Sequence, residues 1–329
     1  MAKKNSVADR PVIGIDLGGT KILAAVVAPG GKVLSRSKTK TLREESPDAV
    51  IARMVDCARK AIKESGVDKS EVAAGGVGAP GPLDPDTGVI IDTPNLGWKQ
   101  VPLAKKLNQA LKVPVFVDND VNMGTFGEFL FGAAKGSRHA VGVFVGTGIG
   151  GGVIIDGKLY HGFNKNAGEI GHMVILADGP RCGCGKKGCY EALASRTAII
   201  RDIKLKVELG KGIKYTRDLF LGDKPISSGG LRKCVKREDA MVIKTLRRAA
   251  RYLGIGFGSL INLFSPEVIV VGGGVTEALG EEFLERARVY AMRYGLPLAR
   301  DNVRILPAAL GDDAVILGAA AMAWRRAEA

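Results

Sequence analysis

PVIGIDLGGTKILAAVV at positions 11–27 and VGVFVGTGIGGGVII at positions 141–155 follow one plan. In each, an apolar run ends in a glycine–threonine turn and a second apolar run follows. The first copy predicts a strand over 11–16, the turn Leu17-Gly18-Gly19-Thr20, a strand over 21–27, the turn Pro29-Gly30-Gly31 and a third strand from Lys32. The second predicts a strand over 141–145, the turn Gly146-Thr147-Gly148-Ile149-Gly150, a strand over 151–155, the turn Asp156-Gly157-Lys158 and a short strand at Leu159-Tyr160. A repeat of this size implies duplicated domains facing each other. Two such turns on opposite halves can grip one phosphate chain from both sides. Gly18, Gly19 and Gly148 have no side chain, so backbone N–H groups can approach anionic oxygens closely. Thr20 and Thr147 add hydroxyl donors, and Asp16, at its strand end, is placed to hold Mg²⁺ through water. The alternative is two glycine hairpins without a ligand, which the matched placement disfavours.

Helices fill the intervals. Ser46-Pro47 is a cap followed by proline at the first helical position, and Val50, Ile51, Met54, Ala58, Ala61 and Ile62 then recur at helical spacing. Residues 72–78 and 113–118 read as buried strands and 120–131 as a helix. Residues 238–264 read as a long helical stretch interrupted by Gly254, Gly256 and Gly258. A strand over 268–271 ends in Gly272-Gly273-Gly274, and 313–326 is a terminal helix. The alternation indicates an α/β protein. It divides into a smaller domain over 1–130, rejoined by a C-terminal helix over 312–329, and a larger one over 131–311.

Gly146 to Gly151 also fits the dinucleotide pattern G-x-G-x-x-G. That fingerprint needs a helix directly after the turn, whereas Val153-Ile154-Ile155 is β-rich, so a Rossmann nicotinamide site is rejected. There is no G-x-x-x-x-G-K-[ST] loop either.

Bulk properties set the outer limits. The 329 residues suit two domains, and 46% hydrophobic with 25% charged residues is ordinary for a globular protein. The opening MAKKNSVADR lacks a signal-peptide core, and no apolar run reaches membrane-spanning length. A cytoplasmic location is expected. The net charge of +14 is concentrated locally, with 16 basic and 6 acidic residues between Arg196 and Arg251. A solvated basic helical surface is the favoured reading of that segment. Nucleic acid is a weak candidate at 5% aromatic residues with no binding motif, and a polyphosphate chain is a less remote one.

The stretch HMVILADGPRCGCGKKGCYE at 172–191 holds three of the five cysteines, Cys182, Cys184 and Cys189, just after His172. Three thiolates and an imidazole make a closed tetrahedral zinc shell, and a shell with no open corner is structural. Core burial is disfavoured by the Gly, Lys and Arg around Cys182 and Cys184, and a disulfide by the expected compartment. Cys57 lies on the amphipathic first helix as a core residue, and Cys234 is left over.

Taken in order, Asp16-Leu17-Gly18-Gly19-Thr20-Lys21, Asn119-Asp120, Gly146-Thr147-Gly148, Glu169-Ile170-Gly171-His172, the cysteine cluster and Gly272-Gly273-Gly274 resemble the ROK family of sugar kinases and repressors. The resemblance runs from about Val12 to Ala323. It implies an actin-like, hexokinase-type (ribonuclease H-like) duplicated fold with ATP and a hexose in the interdomain cleft. It makes Asp120 the catalytic base and Gly81, Asn95, Asn119, Glu169, His172 and Glu191 the sugar pocket. Asp16, Gly18, Gly19, Thr20, Lys21, Gly146, Thr147, Gly148, Gly272, Gly273 and Gly274 fall to the nucleotide and Mg²⁺.

The chemistry agrees with the residue types. A sugar hydroxyl attacks phosphorus once a carboxylate takes its proton, and Asn, Glu and His suit a sugar's hydroxyls. Asp120 also reads as a helix N-cap, and the positive helix end would keep it ionised. Trp98 reads as packing. Repressors of the family carry a helix-turn-helix before the first strand, and about ten residues are too few for one, so a kinase without a DNA-binding domain is expected. Thr93-Pro94-Asn95-Leu96-Gly97-Trp98 resembles the glucokinase branch, implying glucose phosphorylated at O6. Fructose, mannose, N-acetylglucosamine or N-acetylmannosamine as acceptor, polyphosphate as donor, and a non-catalytic sugar-binding regulator are the alternatives. A homodimer or homotetramer is expected.

Overall fold

In the computed structural model, which describes residues 6–328, the repeat becomes two five-stranded sheets of one topology. The first half runs β1 (Val12–Leu17), β2 (Lys21–Ala28), β3 (Lys32–Lys40), α1 (Pro47–Ser65) and β4 (Gly75–Ala79). A small three-stranded sheet follows, β5 (Leu83–Asp84), β6 (Val89–Thr93) and β7 (Trp98–Val101), and then α2 (Leu103–Leu111), β8 (Val115–Asn119) and α3 (Asp120–Phe131). The second half runs β9 (Ala140–Val145), β10 (Ile149–Ile155) and β11 (Lys158–Leu159). A helical insert follows: α4 (Glu191–Ala194), α5 (Arg196–Glu208), α6 (Lys214–Leu221), α7 (Ser228–Lys236) and α8 (Ala240–Phe264). The chain closes with β12 (Val268–Gly272), α9 (Gly274–Leu279), α10 (Glu281–Tyr294), α11 (Pro297–Arg300), β13 (Arg304–Pro307) and α12 (Asp313–Glu328).

Strand order is β3-β2-β1-β4-β8 in one sheet and β11-β10-β9-β12-β13 in the other. In both, the first three strands form an antiparallel meander and the last two join in parallel. The glycine–threonine turns therefore sit at equivalent places, each between the first two strands of its sheet.

Each sheet's fifth strand leads into a helix, β8 into α3 and β13 into α12. The two helices pack against each other, and each also reaches the opposite sheet: α3 touches β9 and β10, and α12 touches β1 and β4. Their close approach depends on glycine. A β-carbon on Gly318 would overlap the Met123 carbonyl oxygen, and one on Gly127 would overlap that of Ala314. Met123, Phe126 and Phe129 of α3, Val268 and Val270 of β12 and Met322 of α12 share one core cluster. Glu128, fully buried on α3, accepts N–H groups of Ala133, Ala309 and Leu310 at 2.8–2.9 Å, which fixes the approach to α12.

One expectation changes. Residues 240–264 form a single helix that the glycines do not interrupt. Those glycines make room: β-carbons would overlap Ala287 O at Gly254 and the Tyr190 ring at Gly256, and would crowd Tyr294 at Gly258. Burial against α10 and Tyr190, whose hydroxyl donates to Leu253 O at 2.7 Å, outweighs the poor helix propensity. Cys57 and Trp98 are buried core residues, as expected.

Candidate active site

The start of α3 lies between the two sheets. Asn119 is its N-cap, accepting the N–H groups of Val121 at 2.9 Å and Asn122 at 3.2 Å. The cap is thus Asn119 and not Asp120, which is the first helical residue and directs Oδ1 to the Val121 N–H at 2.9 Å. Capping uses the Asn119 oxygen and leaves its amide nitrogen, which lies beside Gly81. Gly81, Asn119, Gly150, Gly151, Lys165 and Glu169 line one cleft. Asp120 adjoins it: burial raises its carboxyl above the ordinary carboxylate range, and the Glu169 charge adds to the rise. The expected ionising effect of the helix end is therefore outweighed by desolvation.

Asp16, near the end of β1, is close enough to feel the charge of Asp120. Burial, then the charge of Asp120, push the Asp16 carboxyl up to about 7, against a lowering by Lys21. Two carboxylates confined this closely have room for a cation's charge. The turn after β1 is closed by the Gly18 N–H to Lys21 O at 3.0 Å and by the buried Thr41, whose hydroxyl donates to Gly18 O at 2.6 Å. Lys21 reaches Asp312 at 2.7 Å. Thr20 is exposed beside the open Gly19.

The equivalent turn of the second half keeps Thr147 exposed. Arg196, at the start of α5, donates to Thr147 Oγ1 at 2.6 Å, and the Thr197 hydroxyl donates to Thr147 O at 2.7 Å. Gly273, with φ +91, brings the end of β12 against the Val145 backbone, next to Gly146. The triple glycine thus approaches the strand that leads into the Gly146-Thr147-Gly148 turn. Ser228 Oγ is buried without a partner among the described residues, 3.5 Å from where a Gly274 β-carbon would stand. That orphaned hydroxyl fits a polar ligand beside the triple glycine.

His172, Cys182, Cys184 and Cys189 present ligand atoms all within 4.8 Å of one another. Cys184 Sγ lies 3.7 Å from Cys189 Sγ, and Cys182 Sγ 3.7 Å from His172 Nδ1. Zn–S bonds of about 2.3 Å give a tetrahedron with sulfur–sulfur edges of about 3.8 Å, so the spacing fits a shared ion and is far too long for disulfides. Burial pushes the Cys182 thiol up to about 12 and raises Cys189, whereas the Lys186 N–H lowers Cys184. His172 is exposed, so it does not pack as a core histidine. Glu191 links this cluster to the second glycine–threonine turn: Oε1 is 3.6 Å from Cys182 Sγ and Oε2 accepts the Ile149 N–H at 3.0 Å.

The structure thus gathers Gly81, Asn119, Asp120 and Glu169 around one cleft and joins His172 and Glu191 through the cysteines. Asn95 stands apart, exposed at the turn between β6 and β7 and outside the residues lining that cleft. Sequence reasoning missed Arg196, Ser228, and Asp118 with His161, whose side chains meet at 2.7 Å on the cleft wall. Ser195-Arg196 is legible as a cap followed by a cation, but the turn that the cation meets is not.

Comparison with known proteins shows what the whole chain is similar to. The chain is 34% identical to a glucokinase of Halalkalibacterium halodurans over 317 residues, 95% of this chain and 94% of that one. It matches the crystal structure of a ROK family glucokinase from Streptomyces griseus, in complex with glucose and AMPPNP, with TM-score 0.82 at 34% identity, covering 96% of this chain and 99% of that one. It is also 30% identical to a xylose repressor of Caldicellulosiruptor bescii over 311 residues, 94% of this chain and 77% of the repressor. The duplicated topology is the actin-like, hexokinase-type fold of these structures. The model of the ROK family matches residues 12–326, and the chain belongs to that family.

Proposed function

We propose that the protein transfers the terminal phosphoryl group of ATP to O6 of glucose, with Asp120 as the general base. The chain is a sugar kinase; glucose as its acceptor is the finer reading, supported by the glucokinase relatives. One observation carries the mechanism: Asp120 follows Asn119 at the edge of a cleft that Glu169 also lines, and its charge is felt by Asp16 before the first glycine turn. A carboxyl raised by burial is a stronger base once ionised, and it holds the acceptor proton as the hydroxyl attacks. Asn119 Nδ2 and Glu169 offer a donor and an acceptor to the sugar hydroxyls. The two glycine turns, Thr20, Thr147 and Arg196 offer donors to the phosphates, and Gly272 to Gly274 with Ser228 edge the nucleoside end. Mg²⁺ beside Asp16 would spread the phosphate charge.

His172, Cys182, Cys184 and Cys189 would hold zinc, with His172 Nδ1 toward the ion and Nε2 left for the sugar. Glu191 then steadies both the zinc segment and the Gly148 turn. We place the domain division near Phe131, with α12 counted in the first half because it packs on β1 and β4.

The test is a coupled assay over a panel of hexoses and N-acetylhexosamines, each with ATP and with polyphosphate. Glucose with ATP should give the highest kcat/KM. Another preferred sugar or donor replaces that part of the reading. The repressor relative favours one further reading, a sugar-binding regulator, which binds hexose without turnover.

A further inference from the structure

We propose that His161 and Asp118 form a positioning pair that ties the Glu169 segment of the second half to the strand end bearing Asn119 and Asp120, and so sets sugar affinity. The inference deepens the sugar-kinase reading above and rests on it. Asp118 is 3% exposed, one residue before the end of β8. Its Oδ1 accepts the Asn119 N–H at 2.7 Å and the Asn122 side-chain amide at 3.1 Å. Its Oδ2 meets His161 Nε2 at 2.7 Å. A carboxylate only accepts, so Nε2 carries the hydrogen. One buried carboxylate therefore holds the first turn of α3 and a residue from the opposite half.

His161 transmits that hold along its own segment. Its carbonyl accepts the Ala167 N–H at 3.0 Å, which closes residues 161–167 into a loop. Gly168 follows with φ +93, and its α-carbon region presses on the Gly151 carbonyl, where a β-carbon would stand 2.8 Å away. Glu169 comes next, on the cleft wall. The path from Asp118 to Glu169 is thus a hydrogen bond, one closed loop and two peptides.

A second link joins the same loop to the first half, Lys165 to Asp86 at 2.8 Å, with Arg326 sharing Asp86 at 3.1 Å. Its side chains are 37% and 56% exposed, against 27% and 5% for His161 and Asp118. Exposed pairs contribute little, so the buried pair is the one that fixes the loop. Among the described residues neither side chain hydrogen-bonds to the glycine turns on the donor side. Loss of His161 should therefore loosen the acceptor side and leave the donor side in place.

The experiment uses the full chain with His161→Ala, His161→Gln, Asp118→Ala and the two alanine changes combined, assayed in steady state with ATP and the hexose that the wild type uses best. For His161→Ala the sugar KM should rise about 10- to 100-fold, the worth of a hydrogen bond to a charged group, with kcat within about threefold and the ATP KM unchanged. Glutamine can place an amide N–H where Nε2 stood, so His161→Gln should recover most of the sugar KM. A role in stability alone would lower kcat through lost active protein and leave the sugar KM at its wild-type value, and that result overturns the proposal. The double variant should be no worse in sugar KM than Asp118→Ala; additive losses overturn it too. Hydrogen exchange of the unliganded proteins supplies a readout without substrate: His161→Ala should speed exchange at the Ala167 amide. If the wild type phosphorylates no hexose, the kinase reading falls. Exchange across residues 161–169 then decides the pair, and unchanged rates there overturn it.

Discussion

Replacing Asp16 by asparagine should make the unliganded protein more stable at pH 8 and far less active. Burial and the neighbouring Asp120 raise the Asp16 carboxyl from 3.8 in an unstructured chain to about 7 in the folded one. Between those values the folded state keeps a proton that the unfolded state has released. Stability from this group is therefore complete below about pH 3.8, falls as the pH rises toward about 7, and is level beyond. At about 1.4 kcal/mol per pH unit, the interval amounts to about 4 kcal/mol. Asparagine has the same shape and no charge, so Asp16→Asn escapes the loss. Urea unfolding of both proteins at pH 4 and pH 8 isolates the effect of Asp16 and the groups coupled to it, because all other titrating groups cancel in the difference. The stability gained by the variant should grow by up to about 4 kcal/mol from the lower pH to the higher. Saturating Mg²⁺ and ATP should reverse the order, since the ionised carboxylate then has a cation to face, and turnover of the variant should fall at least about 10²-fold. A variant whose stability difference is the same at both pH values would refute the argument: the carboxyl would then ionise in the fold without cost.

Three further predictions rest on separate features. Asp120→Asn should cut turnover at least about 10²-fold with no loss of thermal stability, because the carboxyl it removes is held against its own ionisation; near-normal turnover would end the base assignment. Metal analysis of protein prepared without chelator should find one zinc per chain, and Cys184→Ser should lower both Tm and sugar affinity, as the binding energy of structural zinc in finger peptides is about 10–16 kcal/mol. Metal-free protein that binds sugar normally would dismiss that site. Gly318→Ala should cost about 3 kcal/mol and reduce activity, since the new methyl group meets the Met123 carbonyl and moves α3; a wild-type Tm would show that the two helices can part freely.

The parts of this molecule that sequence exposes are those encoded by neighbours along the chain. The glycine turns, the strands around them and the cysteine spacing are local, and each appears where its residues lie. The identity of the cap is local too, yet Asn119 and Asp120 are both good caps, and only the direction of the helix start separates them. The charge on Asp120 escapes a sequence reading for a different reason. A helix terminus is visible in sequence, whereas the desolvation that outweighs it comes from both sheets closing around α3. Likewise Gly254, Gly256 and Gly258 read as breaks because propensity is a property of one helix, and their purpose lies in Tyr190 and α10. Asp118 and His161 are 43 residues apart, and nothing in either segment names the other. Their contact exists because β8 and the segment after β11 come from different halves of a duplicated fold. The duplication is therefore legible from its turns, but the chemistry at the join is written in pairs that only the folded chain assembles. The perturbed carboxyls of Asp16 and Asp120 stand at that same join, beside a cleft to which both halves contribute residues.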